Sequence, residues 1–248
     1  MGADVIIIYF GIGMLAGLMS GIFGIGGGSV RIPLLHLVGL PLVSAYGINL
    51  LIIPFSSMVG AISHRDNLDR HVAKYVILGG VGGSVVGAFF VGTISPLWLA
   101  VLFVMISAVT VIGIYLEKLA PRIARKVNPN PMNITVGTFF LNLLTGMRGG
   151  SGGSLFPSFL KTMGLNIRRA IATSLFSTVF TASAGLLVYY GRGDILWLPA
   201  VLVLAGSLLG VRIGSLISMR TKPRWLEASL AVVVMALAAI VLYKTLIM

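Results

Sequence analysis

Apolar segments of membrane-spanning length follow one another along this chain, separated by short polar connections. They extend over residues 5–24, 41–63, 75–91 and 97–116, and the charged segment 64–74 forms the first polar loop. A run of roughly 20 apolar residues is long enough to cross the hydrocarbon core of a bilayer as a helix. The pattern predicts an all-α polytopic membrane protein, since the alternating segments typical of a transmembrane barrel are absent.

Two glycine clusters interrupt this apolar pattern. The first glycine segment, residues 21–33, reads GIFGIGGGSVRIP, and the second glycine segment, residues 145–157, reads TGMRGGSGGSLFP. Consecutive glycines unwind a helix, and within a membrane the freed N–H and C=O groups must be buried in protein or line a cavity. Unwound N–H groups ahead of a helix favour an anion. Residues 154–164 then predict a half-helix that is too short to cross the bilayer.

The second half of the chain repeats the first at an offset of 125 residues. The matched positions are Gly21, Gly24, Gly27, Gly28 and Ser29 with Gly146, Gly149, Gly152, Gly153 and Ser154. Matching glycines in order are harder to obtain by chance than matching leucines. The duplication predicts a transporter-type fold with repeats at residues 1–116 and 132–248, joined by the polar linker 117–131. Each repeat is expected to hold a glycine-rich, broken-helix hairpin and three transmembrane helices.

Lysine and arginine positions favour an inverted relation between the two repeats. If each glycine segment crosses the membrane once, nine basic loop residues face the cytoplasm and six face outward. If each segment turns back as a hairpin, the numbers become thirteen and two. Because cytoplasmic loops are enriched in Lys and Arg, the hairpin arrangement is preferred. It places both termini outside and the basic segments 64–74, 161–169 and 219–224 in the cytoplasm.

Composition agrees with a membrane protein and removes several functional classes. The chain is 57% hydrophobic and only 10% charged, against roughly 25% charged residues in soluble domains. Its net charge of +12 is attributed to cytoplasmic loops and not to nucleic-acid binding, because no basic segment is interleaved with exposed aromatics. The absence of cysteine excludes thiolate metal sites. No nucleophile–base pair and no phosphate-loop motif is found, so we expect neither an enzyme nor a cofactor.

Arginine within the membrane-embedded segments is the main chemical signal. Arg31 and Arg148 belong to the two glycine segments, and all six acidic residues of the chain fall at predicted helix ends or in loops. A guanidinium at membrane depth costs at least about 2.5–3.5 kcal/mol. Without a carboxylate partner it favours an anionic ligand, and its planar fork suits sulfonate-like oxygens. The alternative is that either arginine extends to the membrane interface or caps backbone carbonyls.

Polar residues of the following helices extend the candidate site. Asn49, Ser174 and Ser177 are expected either to line the substrate path or to bond across helices. The predicted substrate-binding residues are Gly26, Gly27, Gly28, Ser29, Arg31, Asn49, Arg148, Gly149, Gly150, Ser151, Gly152, Gly153, Ser154 and Ser174. We predict no metal ligands.

The glycine-rich break followed by proline, the ATSL run at residues 172–175 and the duplicated layout resemble the TauE/SafE family of sulfite exporters and related sulfur-anion permeases, such as 4-toluene sulfonate uptake permeases. The resemblance covers both halves of the chain. It implies transport of sulfite, thiosulfate or organosulfonates across the plasma membrane. This sequence departs from the family pattern at Arg31 and Arg148, where apolar residues are usual, and at GINL, residues 47–50, where a GTSL-like run is usual.

These observations predict a secondary transporter of a small, sulfur-containing anion. The competing classes are a cation carrier or channel and a non-transporting membrane scaffold. A cation carrier or channel would require intramembrane carboxylates or histidine clusters. His36 is the only candidate for proton coupling within the membrane, whereas His64 is expected to be structural or interfacial; this favours uniport, or a proton carried by the substrate. The expected partners are a small inorganic or organosulfur anion and the lipid bilayer. Transport direction and homo-oligomer formation stay open.

Overall fold

The computed structural model describes residues 3–91, 130–147, 149–193 and 195–247, together with isolated positions between 93 and 119. The predicted span 97–116 and most of the predicted linker 117–131 therefore lie outside the described ranges. The helices are α1 Ala3–Phe23, α2 Gly28–Leu37, α3 Leu42–Ser63, α4 Arg70–Phe89, α5 Pro131–Gly146, α6 Phe156–Thr162, α7 Ile167–Arg192, α8 Trp197–Arg220 and α9 Pro223–Ile247, with 3-10 turns at Arg65–Asn67 and Gly152–Ser154.

Within the described residues, five helices are long and apolar enough to cross a membrane, namely α1, α3, α4, α7 and α8. Large apolar side chains such as Ile7, Phe89 and Leu187 are exposed on the outer surface of these helices. A surface of this kind is stable only where lipid covers it, because in water it would form an extended apolar patch. The prediction of an all-α, multi-pass membrane protein is confirmed.

The first charged loop is shorter than predicted. The sequence analysis places residues 64–74 in a loop and begins the next span at Tyr75, but α4 begins at Arg70. Asp69 is the N-cap, and its Oδ1 accepts a hydrogen bond of 3.1 Å from the N–H of Val72. Such a cap satisfies one of the free donors at a helix N-terminus. Hydropathy missed this helical turn because its residues are charged.

The half-helix after the second glycine segment is also shorter than predicted. Residues 154–164 resolve into the 3-10 turn Gly152–Ser154 and then α6, which has only seven residues. Gly164 follows α6 with a φ of 89°, and Gly39, at the equivalent position after α2, has a φ of 96°. Both positions require the left-handed backbone that glycine adopts without strain. The two short helices therefore end in the same way.

Glycine stripes let two pairs of helices approach with their backbones in contact. Helix α1 packs on α8, and α4 packs on α5, each pair running in the same direction. A Cβ atom added at these glycines would overlap the carbonyl oxygen of the facing helix, so only glycine fits. The contacts are Gly13, Gly17 and Gly21 with Val203, Ser207 and Val211, and Gly79, Gly83 and Gly87 with Thr135, Phe139 and Leu143.

Helices α3 and α7 pack against each other and form the centre of the bundle. They are antiparallel, since Gly60 lies against Leu175 at one level and Leu50 lies against Gly185 at another. Helix α3 also packs on α8, and α7 also packs on α4. If the two halves of the chain are exchanged, the α3–α8 pairing corresponds to α7–α4 and the α1–α8 pairing corresponds to α5–α4. That the two halves are inverted repeats stays a prediction.

Three basic segments meet at one end of the bundle. Arg168, in the first turn of α7, donates through Nη2 to the carbonyl oxygen of Thr221 over 3.3 Å. Arg169 forms an ion pair of 3.9 Å with Asp69. These contacts bring the region before α4, the start of α7 and the end of α8 together, and we call this the basic end. That it faces the cytoplasm stays a prediction.

Candidate functional site

The first glycine segment breaks the helix and turns the chain back on itself. Gly24, Gly26 and Gly27 have φ values of 71°, 70° and 72° and separate α1 from α2. After this break the chain lies beside the helix it has just left, because a Cβ atom on Gly27 would stand 2.8 Å from the carbonyl oxygen of Ala16. Helix α2 then runs back toward the start of α1, where Leu35 joins the buried cluster that contains Tyr9.

The second glycine segment makes an equivalent turn. Gly149 has a φ of 62°, and the N–H of Gly150 donates to the carbonyl oxygen of Thr145 over 2.9 Å. The chain then returns along α5, since the N–H of Gly152 donates to Oδ1 of Asn142 over 2.7 Å. Further along, Phe159 of α6 packs on Gly137 of α5.

Each glycine segment is held by a polar side chain from the other half of the protein. Asn49 on α3 donates through Nδ2 to the carbonyl oxygen of Gly149 over 2.8 Å. Ser174 on α7 donates through Oγ to the carbonyl oxygen of Gly24, also over 2.8 Å. Both the two donors and the two acceptors are pairs of equivalent positions, 125 residues apart. The structure therefore links the two segments reciprocally across the centre of the bundle.

Arg31 is fully buried, with 0% of its surface exposed, so it does not extend to the interface. Its Nη1 donates to Oδ1 of Asn49 over 2.6 Å and its Nη2 donates to Oγ of Ser207 over 2.9 Å. Nε is buried without a hydrogen-bond partner in the described part of the chain. The ion pairs among the described residues do not include Arg31. The positive charge of Arg31 is therefore surrounded by neutral partners.

Unpaired backbone donors distinguish the first glycine segment from the second. Within the described ranges, the N–H groups from Ile25 to Gly28, at the start of α2, donate to no protein acceptor. In the second segment three of the four corresponding N–H groups are satisfied internally: Thr145 O accepts from Gly150, Asn142 Oδ1 accepts from Gly152, and Ser151 Oγ accepts from Gly153 over 3.4 Å. The free donors and the buried cation thus lie in the same half of the protein.

Hydroxyl groups from α7 complete the polar surroundings. Ser177 and Thr178 are buried, and neither hydroxyl has a hydrogen-bond partner among the described residues. Thr178 contacts both glycine segments, since Cβ atoms added at Gly26 and Gly153 would stand 3.5 Å from its Cγ2 and 2.5 Å from its Oγ1. Sequence reasoning missed Thr178, although it lies one helical turn after Ser174 and so faces the same side.

The structure brings most of the predicted site residues together. The residues that line or contact this centre are Gly26, Gly27, Gly28, Arg31, Asn49, Gly149, Gly150, Ser151, Gly152, Gly153 and Ser174. Ser29 is half-buried on α2, and Ser154 ends the 3-10 turn. Arg148 lies outside the described residues. His36 is remote from this centre and instead contacts the carbonyl oxygen of Leu40 through Nδ1, over 2.9 Å.

Among the described residues, no group of three or more His, Asp or Glu side chains is arranged to hold a metal ion. Among the described residues, the polar groups of this centre are hydroxyls, side-chain amides, backbone N–H and C=O groups and one guanidinium. The guanidinium and the free N–H groups only donate hydrogen bonds, which suits a negatively charged ligand and not a cation.

Comparison with known proteins gives consistent matches over nearly the whole chain. The family described as sulfite exporter TauE/SafE matches residues 9–241. A probable membrane transporter protein of Haemophilus influenzae is 24% identical over 223 residues, which cover 87% of this chain and 86% of the relative. The probable membrane transporter proteins YjnA of Bacillus subtilis and YfcA of Escherichia coli are 22% and 25% identical, covering 90% and 96% of this chain and 94% and 90% of the relatives. No solved structure matches.

Proposed function

This chain belongs to the sulfite exporter TauE/SafE family, and from that premise we propose that it is a secondary transporter of a small, sulfur-containing anion. Membership of this family, together with the probable membrane transporters among its relatives, identifies a multi-pass membrane transporter. The proposal adds the substrate class, the site and the mechanism. Sulfite, thiosulfate and organosulfonates are the candidate substrates.

The observation that carries the anion assignment is the buried, uncompensated charge of Arg31. A buried cation normally pairs with a carboxylate, because desolvation alone costs several kcal/mol. Among the described residues, Arg31 has only Asn49 and Ser207 as hydrogen-bond partners, and these neutral groups solvate the charge without cancelling it. An anion at this point would cancel it. A charge-assisted contact of this kind stabilises binding by about 1.5–3 kcal/mol.

The start of α2 supplies the remaining contacts in this proposal. The free N–H groups from Ile25 to Gly28 lie at the positive end of the helix dipole, which favours an anion. Arg31 belongs to the same short helix, and its Nη2 would stand 3.0 Å from a Cβ atom on Gly27. The guanidinium and the free donors therefore lie close enough to act on one small ligand. Arg148 is proposed as a further contact from its position in the sequence.

The proposed mechanism is alternating access between two inverted repeats. Three observations support it: α3 and its counterpart α7 are antiparallel, both glycine segments turn the chain back, and each segment is bonded to the other half. Substrate at the meeting point of two repeats is the usual arrangement in carriers built from broken helices. Rocking of one half against the other would break and remake the bonds from Asn49 and Ser174.

The experiment is anion binding and flux with purified protein. Thiosulfate, sulfite and methanesulfonate are tested by calorimetry in detergent and by uptake into proteoliposomes, with chloride and potassium for comparison. We expect saturable binding of the sulfur anions, reduced about ten- to a hundredfold in Arg31→Gln. The matched control is Arg212→Gln, because Arg212 is exposed and bonds to Ser63 Oγ over 2.8 Å, outside the central site.

Two results would contradict the proposal. Equal affinity in wild type and Arg31→Gln would make this arginine structural and leave the anion assignment without its main support. Saturable uptake of potassium without any uptake of sulfur anions would identify a cation carrier instead.

A further inference from the structure

A buried histidine with an unused nitrogen lies at the basic end, away from the central site. His64 follows the span that ends at Ser63 and is only 2% exposed. Its Nε2 lies 3.4 Å from the carbonyl oxygen of Gly21. Its Nδ1 is buried and has no hydrogen-bond partner in the described part of the chain. Sequence analysis assigned His64 to a charged loop and therefore expected a structural or interfacial residue.

Arg168 brings a second unpaired nitrogen to the basic end. It belongs to the first turn of α7, where helix dipole and free N–H groups favour an anion. Nη2 is engaged with the carbonyl oxygen of Thr221, but Nε is buried without a partner among the described residues. Ile167, next to Arg168, packs in one apolar cluster with Ala61, one helical turn before His64. The ends of α1 and α8 also bring the two side chains near each other: His64 faces Gly21, the next residue Ile22 accepts from Ser218 Oγ over 2.7 Å, and Arg168 bonds to Thr221, three residues after Ser218. Both unused nitrogens therefore lie in the same part of the basic end.

The described carboxylates near this location are paired elsewhere. Asp66 lies 3.7 Å from Arg65 in an exposed pair, and Asp69 lies 3.9 Å from Arg169. The other described charged residues at this end of the bundle are basic, namely Arg70 and Lys74 of α4, Lys161 of α6, Arg212 and Arg220 of α8, Lys222 between α8 and α9, and Arg224 of α9. A site with two unused nitrogens and an excess of positive charge selects an anion.

The hydrogen bonding of His64 ties this anion to a proton. A carbonyl oxygen only accepts hydrogen bonds, so the Nε2 that faces Gly21 carries the single proton of the neutral ring. Nδ1 then presents a lone pair, which repels an anion. Burial lowers the pKa of His64 below its ordinary value; the carbonyl of Gly21 opposes this, and Arg168 lowers the pKa further. Near neutral pH the ring is therefore neutral until an anion arrives.

We propose that His64 and Arg168 form a second anion-binding site, at the basic end of the bundle, in which each bound anion is accompanied by uptake of one proton on His64 Nδ1. The protonated Nδ1 donates one hydrogen bond to the anion, and Arg168 Nε donates another. Because binding and protonation assist each other by the same factor, anion binding at this site is tighter at low pH. The ligand class rests on the proposed anion transport, whereas the proton coupling rests on these two residues.

Thiosulfate is the probe of choice, because it stays fully ionised over the range in which histidine titrates, about pH 5–8. Calorimetry of wild-type protein in buffers of different ionisation enthalpy measures the protons taken up per thiosulfate bound. We expect uptake of close to one proton per protein molecule near neutral pH when both sites are filled, and an affinity of the second site that rises by up to about tenfold per pH unit on acidification. His64→Gln should abolish both effects, and Arg168→Gln should weaken the pH-dependent component.

The controls separate this site from the central one. His71→Gln is the matched variant, because His71 is exposed on α4 and packs its ring against Tyr75; proton uptake should be unchanged. Arg31→Gln should weaken binding to the central site but retain the proton uptake. The measurement on wild-type protein needs no variant to fold, and ¹⁵N-histidine spectra of wild type should show one buried imidazole becoming protonated when thiosulfate is added.

Four outcomes would overturn the inference. Tight thiosulfate binding with no proton uptake would remove the coupling while leaving anion transport intact, whereas absence of any thiosulfate binding would remove the proposed function as well. Proton uptake that persists in His64→Gln would assign it to another group. If short-chain phosphatidylglycerol reproduced the proton uptake without thiosulfate, the site would belong to a lipid headgroup and not to a dissolved anion.

Discussion

Replacing Asn49 by aspartate tests whether the charge of Arg31 is the binding determinant. Asn49 Oδ1 accepts from Arg31 Nη1 over 2.6 Å, so Asn49→Asp places a carboxylate of nearly the same shape against the guanidinium. Two unit charges about 4 Å apart attract by about 4 kcal/mol at an effective dielectric of 20. The new carboxylate would therefore take the place of the ligand, and thiosulfate affinity should fall about ten- to a hundredfold.

The same substitution has an opposing structural effect that can be measured separately. Asn49 Nδ2 donates to the carbonyl oxygen of Gly149 over 2.8 Å, and a carboxylate cannot donate this bond. Leaving a buried carbonyl unpaired costs about 1–3 kcal/mol, which offsets much of the gain from the new ion pair. Thermal unfolding in detergent should therefore change little, although binding is lost.

Asn49→Ala is the matched control, because it removes both hydrogen bonds but leaves the charge of Arg31 uncompensated. It should lower thermal stability and retain measurable thiosulfate binding. Calorimetric titration with thiosulfate measures the affinities of wild type, Asn49→Asp and Asn49→Ala. If Asn49→Asp binds thiosulfate as tightly as wild type, the charge of Arg31 does not attract the ligand, and the reasoning from the buried cation fails.

Two further predictions concern the basic end. Single cysteines placed at Asn67, Asn166 and Thr221 of this cysteine-free chain should all resist an impermeant thiol reagent applied to intact cells; labelling from outside would contradict the cytoplasmic assignment. Because burial lowers the pKa of His64, the unfolded chain binds more protons than the folded one as pH falls below about 6.5. The midpoint of thermal unfolding should therefore fall over that range in wild type and less so in His64→Gln; equal pH dependence in both would contradict this.

Local chemistry made the glycine segments predictable. Consecutive glycines at Gly26–Gly28 cannot continue a helix in lipid without exposing backbone groups, so the sequence alone indicates a break there. The offset of 125 residues likewise identifies Asn49 and Ser174 as equivalent positions. Neither observation reveals what those two side chains contact, because each bonds to a segment at least 100 residues away in the chain.

Tertiary contacts account for what sequence reasoning missed. Ser207, which holds Arg31, lies 176 residues away from it and looks in sequence like one more small residue of a glycine-rich helix. His64 stands at the start of a charged run, and charge predicts exposure. The end of α3 nevertheless buries it against Gly21 of α1. Hydropathy averages over such a boundary and cannot separate the buried residue from its exposed neighbours.

The two halves have similar helix pairings, but they carry different side chains at positions that the offset of 125 residues matches. Arg31 corresponds to Phe156, so the second half has no cation at the start of its short helix. Gly17 corresponds to Asn142, whose side chain accepts from Gly152 and so occupies a donor that the first half leaves free. Among the described residues, the first half thus holds both the buried charge and the open donors, while the second half satisfies most of the corresponding donors internally.

This divergence argues for a single central anion and not for one in each half. In the aligned runs GGSVVG and AGSLLG, Ser84 corresponds to Ser207. Ser207 binds Arg31, whereas the hydroxyl of Ser84 is buried with no partner among the described residues. Ser84 is present although Phe156, and not an arginine, stands at the position that corresponds to Arg31. This difference fits two similar halves of which only one keeps the main ligand-binding residues. The second glycine segment then mainly lines the opposite side of the central site, and Asn49 fixes it to the first half of the chain.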